Sequence, residues 1–75
     1  MKELVEYIAK SLVDDPSQVH VTRIDRGDNT ILELEVAQED MGRVIGKNGR
    51  VANAIRTLVR VLAAKQGKHI TLDIV

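Results

Sequence analysis

A chain of 75 residues with no cysteine, one aromatic residue and a formal net charge of zero has room for a single domain, residues 1–75, held together by aliphatic packing alone. A disulfide framework and a cysteine zinc site are both excluded. No stretch approaches membrane-spanning length, and Met-Lys-Glu-Leu at the start has no apolar run behind it to act as a secretion signal, so a soluble, cytoplasmic protein is expected. The zero charge hides a split: residues 1–40 carry four basic and ten acidic side chains, whereas residues 41–75 carry seven basic and one acidic. A neutral chain can therefore present a basic face, and screening over about 8 Å at physiological salt keeps that face locally distinct.

Leu4, Val5, Ile8, Ala9 and Leu12 recur at helical spacing opposite Lys2, Glu3, Glu6, Lys10 and Ser11, which predicts a short amphipathic helix ending near Val13. Asp14-Asp15-Pro16 breaks it, because proline lacks an N–H and disfavours a helical residue before it. Val19 to Ile24 reads as a strand with Val19 and Val21 on one face, and Asp25 to Asn29 as a turn. Thr30 to Val36 is a second strand with Leu32, Leu34 and Val36 on one side, so the pair predicts an antiparallel hairpin with one buried face. Gln38 to Ile45 has room for about two helical turns, with Glu39 and Asp40 suited to the helix start and Gly46 to its end. Val51, Ala52, Ile55, Leu58, Val59, Leu62 and Ala63 keep a helical period for about four turns. Gly67 closes that helix, and Ile70, Leu72 and Ile74 alternate in a last strand, His69 to Val75. The order α-β-β-α-α-β predicts an α+β fold of two layers, a three-stranded sheet covered on one face by helices. Strand order within the sheet stays open.

The segment between the last two helices carries the chemistry. Gly46 and Gly49 let the main chain turn sharply and leave no Cβ in the way of an approaching sugar–phosphate backbone. Amides in the turn and at the next helix start can donate to phosphate oxygens, with Lys47 and Arg50 adding charge-assisted contacts. A glycine after a short helix also serves as a plain cap. The spacing is neither that of a nucleotide-binding P-loop nor that of a dinucleotide fingerprint, and both need a preceding strand. Val44 and Ile45 read as packing residues that anchor the turn, Ile45 also as a groove floor. Ala52 permits close approach, and Asn53 offers an amide to a base edge. Arg56, Arg60, Lys65 and Lys68 either extend the basic path or form a solvated helix face. His20 and His69 stand alone, so no metal, cofactor or catalytic set is expected. Tyr7 is the one aromatic, which leaves no stacking platform and favours a groove reader.

Residues 43–55, with Val-Ile-Gly-Lys-Asn-Gly-Arg at their centre, and more loosely the whole chain, resemble a K-homology (KH) domain in its type II arrangement. That resemblance implies non-catalytic binding of single-stranded RNA. Gly46, Lys47, Asn48 and Gly49 would hold the backbone, flanked by Arg43 and Arg50, and the neighbouring helices and second strand would border a groove for about four nucleotides. It further implies self-association as a homodimer or pairing with a larger KH-containing protein. The cellular role it implies is that of an RNA chaperone in post-transcriptional control, linked to cell elongation and envelope synthesis. Two other readings compete. A helix-turn-helix would present Arg50, Asn53, Arg56 and Arg60 to a DNA major groove, and a pairing module would set the basic face on an acidic protein surface.

Overall fold

The computed structural model describes residues 1–75. Helix α1, Lys2–Leu12, turns Val5 and Ala9 into the core and stops where Val13 goes extended. A single 3-10 turn, Pro16–Gln18, leads into β1, His20–Arg26. Strand β2, Asn29–Glu35, follows, then a second 3-10 turn, Gln38–Asp40, and α2, Met41–Ile45. The glycine turn separates α2 from α3, Arg50–Lys65, and β3, His69–Ile74, ends the fold. The expected α+β order of two layers is therefore the observed one.

The hairpin turn is shorter than the sequence suggests. Asp25 pairs with Thr30 and Arg26 with Asn29, so only Gly27 and Asp28 make the connection, with Gly27 at φ 61°. Asp25, Arg26 and Asn29 thus join the ladder instead of the turn, and side-chain bonds anchor Asp25 there. Asp25 Oδ1 accepts from Arg23 Nε at 3.1 Å and from the Thr30 hydroxyl at 3.0 Å. Those donors, Arg23 first, hold the Asp25 carboxyl below its ordinary value. The bond's small contribution is thus present above the usual carboxylate range and lost as pH falls through the lowered value.

Strand order is β1-β2-β3, with β1 antiparallel and β3 parallel to β2. Register places Val21 beside Leu34 and Leu32 beside Leu72, all buried on the face that the helices cover. Val5 and Ala9 of α1, Val44 of α2, and Ile55 and Val59 of α3 complete one continuous apolar cluster. Two consequences matter for the site. Both edges of β2 are taken, so the sheet's free edges belong to β1 and β3. And α3 packs against β3, which brings a helix flank alongside one of those edges.

Asp40 departs from its expected role. It makes no capping bond to α2; its carboxylate is buried and accepts the backbone N–H groups of Asp14 at 3.2 Å and Asp15 at 3.1 Å. It thereby ties the turn after α1 to the start of α2. Asp40→Ala leaves two amides without their acceptor and is expected to cost about 2 kcal/mol, read as a lowered urea midpoint at unchanged m-value.

Candidate nucleic-acid interface

Three of the four turn residues stand at positive φ: Gly46 at φ 75°, ψ 169°, Asn48 at φ 58°, ψ 23°, and Gly49 at φ 76°, ψ 13°. Asparagine is among the few residues with a side chain that enter this region readily. The main chain satisfies part of itself here. Gly46 N–H donates to Gly42 O at 2.9 Å and Gly49 N–H to Gly46 O at 3.1 Å, while Arg50 N–H donates to Lys47 O. Lys47 and Asn48 are both exposed on the turn. Successive amides in an exposed tight turn make a concave donor surface suited to an anion.

Glycine is required at 46 for space as well as for φ. A Cβ there would stand 2.5 Å from Val51 Cγ2 and 2.9 Å from Val51 N, because α3 begins directly beneath the turn. At 49 the space is open, and a Cβ would meet only Asn53 Nδ2, at 3.7 Å.

From the turn a polar track runs along one flank of α3, where Asn53, Arg56 and Arg60 follow at three- and four-residue spacing. Arg56 spans from this flank to the free edge of β3. Its Nε donates to Leu72 O at 3.3 Å and its Nη1 to Asn53 Oδ1 at 3.3 Å. Helix flank and strand edge enclose a cleft of about 530 Å³, with Arg56, Arg60 and Lys68 as its cations, Asp73 as its one carboxylate and Ile70 and Leu72 on its apolar wall. The strand bordering this cleft is β3. The second strand, expected there from the family resemblance, lies in the middle of the sheet with no edge to offer.

The expected site residues separate into groups. Gly46, Lys47, Asn48 and Gly49 form the turn, and Arg50 follows it, exposed. Neither Lys47 nor Arg50 takes part in an ion pair. Ile45 is 37 % exposed beside the turn, whereas Val44 is fully buried as its anchor. Asn53 is exposed and accepts from Arg56, which lines the cleft. Ala52 is buried at 2 % exposure and faces the core. Arg43 is held elsewhere, its Nη2 on Asp14 Oδ2 at 3.1 Å and its Nε 3.9 Å from Asp40 Oδ1. Sequence reasoning missed the Leu72 edge and its bond to Arg56. The alternation of β3 shows which face is apolar, and nothing local shows which edge is free. No cluster of His, Cys, Asp or Glu is placed to hold a metal ion, and no helix is long and apolar enough to cross a membrane.

A model of the KhpA/KhpB KH domain matches residues 2–74. The chain belongs to this KH-domain family. The "RNA-binding protein KhpA" of Clostridium perfringens is 56 % identical over 75 residues, spanning the whole of both chains. KhpA of Borreliella burgdorferi is 49 % identical over 72 residues, covering 96 % of this chain and 88 % of its own. Among solved structures, Era of Aquifex aeolicus matches with a TM-score of 0.61 over 97 % of this chain and 28 % of Era, at 19 % identity. That similarity concerns the fold alone. Family membership accounts for the type II order of elements and for the helix, glycine turn and helix at its centre.

Proposed function

We propose that this KH domain binds single-stranded RNA without catalysing a reaction. The turn Gly46-Lys47-Asn48-Gly49 grips the sugar–phosphate backbone, Arg50 adds charge, and about four nucleotides lie along the cleft between α3 and β3, past Ile45 and Asn53. One observation carries the reading: an exposed, side-chain-poor bend with Gly46, Asn48 and Gly49 at positive φ leads into α3, whose flank borders a cleft with three cations and one carboxylate. An unpaired strand can turn its base edges into such a cleft, whereas a duplex presents phosphates on a rigid cylinder. Arg43, paired with Asp14 and Asp40, braces the clamp and contributes to it mainly through the position of α2.

The domain acts in the cytoplasm, in post-transcriptional control as an RNA chaperone linked to cell elongation and envelope synthesis, and it pairs with a second copy or with the larger KH-containing protein KhpB. Family membership supports these points. The flank of α3 turned away from the cleft supports pairing, because Leu58 and Val61 stand 51 % and 45 % exposed there. The test of the central reading is competition. A labelled single-stranded RNA bound to the protein is expected to be displaced by unlabelled RNA of equal length and hardly at all by duplex DNA. Equal displacement by the duplex overturns the groove reading in favour of a helix in a major groove, and absence of any nucleic-acid binding favours the pairing module.

A further inference from the structure

The cleft does not end at the last turn of α3. Gly67 N–H bonds Ala64 O at 3.0 Å and Lys68 N–H bonds Ala63 O at 2.9 Å, with Gly67 at φ 67°. This closure folds the chain back onto β3 and sets Lys68 at the corner. A second, smaller hollow of about 60 Å³ lies around that corner, and Lys68 and Ile70 line both cavities. Its other cations are Lys2 from the start of α1 and Arg23 from β1, with Thr30 and Gln66 as neutral donors and no carboxylate among its lining residues. Arg23 sits opposite Leu32 and Thr30 beside Ile70, so α1, β1, β2 and the turn after α3 deliver these groups to one end of the helix-covered face. Two carboxylates lie nearby: Asp25 engages Arg23 through Nε, and Glu3 stands 4.0 Å from the N-terminal ammonium of Met1, which also lines the hollow.

We infer that this corner is a second phosphate-binding position for the same RNA strand, at the end of the cleft opposite the glycine turn. The inference rests on the proposed RNA reading and extends it. With 16 residues, α3 runs for about 24 Å between the two positions. A strand clamped at Lys47 and Asn48 and led past Arg56 and Arg60 reaches Lys68 with its next phosphates directed at Lys2 and Arg23. The occupied site is then longer than the groove that the turn alone would serve.

Two oligouridylates, a tetranucleotide and an octanucleotide, test this by fluorescence anisotropy over a range of salt. The octanucleotide is expected to bind the native protein about tenfold more tightly at low salt, with a log–log salt slope steeper by about 0.7 for each added phosphate contact. In the folded double variant Lys2→Gln, Arg23→Gln the tetranucleotide keeps its affinity and the octanucleotide loses its extra slope. Extra binding registers on the longer strand raise affinity equally in both proteins without changing the slope, so the slope is the deciding readout. Equal slopes for the two lengths in the native protein, or an unchanged difference in the variant, overturn the inference and leave the clamp standing. No binding of either length overturns both.

Discussion

Replacing Lys47 and Asn48 together by aspartate is expected to weaken single-stranded RNA binding about a hundredfold while the domain stays folded. Two charge-assisted contacts at about 1.5 kcal/mol each give that factor, and the carboxylates then repel the phosphate they face. The salt slope should fall by about 0.7 with the loss of one phosphate contact. Folding is spared because both side chains are exposed, neither joins a salt bridge, and aspartate tolerates the φ of 58° that Asn48 adopts nearly as well as asparagine does. A folded variant with native affinity and native slope contradicts the clamp.

Gly46→Ala is expected to destabilise the domain by about 3 kcal/mol, whereas Gly49→Ala costs about 1 kcal/mol. The two glycines look alike in the sequence and differ in the fold. At φ 75°, ψ 169° Gly46 occupies a region essentially closed to other residues, and its added Cβ meets Val51 N at 2.9 Å, a backbone atom that cannot swing aside. Gly49 is in the ordinary left-handed region, with one flexible side chain 3.7 Å away. At 4–8 °C per kcal/mol for a domain of this size, melting temperatures should fall by about 15 °C and about 5 °C respectively. Equal losses at the two positions would mean that α3 does not press against the turn at Val51.

Local pattern made much of this legible in the sequence. The α1 stripe, the alternation of Leu32, Leu34 and Val36 and the helical run from Val51 to Ala63 formed as their spacing predicts, because each is set by burial of one face, and the glycine turn formed where its residues tolerate positive φ. What stayed hidden depends on contacts between distant residues. Parallel pairing of β3 with β2 decides which strand edge opens onto the cleft, and that pairing is settled by how α3 crosses the sheet. Asp40 reads as a helix-start acid, yet its acceptors are spent on amides 25 and 26 residues earlier. The residues that carry the proposed clamp are local, which is why the turn was identifiable first. Those that shape the cleft, Arg56 against Leu72 above all, are brought together only by the fold.

The most direct test of the account follows backbone amide resonances through a titration with a short single-stranded RNA. The largest shifts are expected at the Lys47 and Asn48 amides, with a second set along the cleft at Asn53, Arg56, Ile70 and Leu72. Shifts confined to the uncovered face of the sheet, at Thr22, Ile31 and Glu33, with Lys47 and Asn48 unmoved, would contradict it.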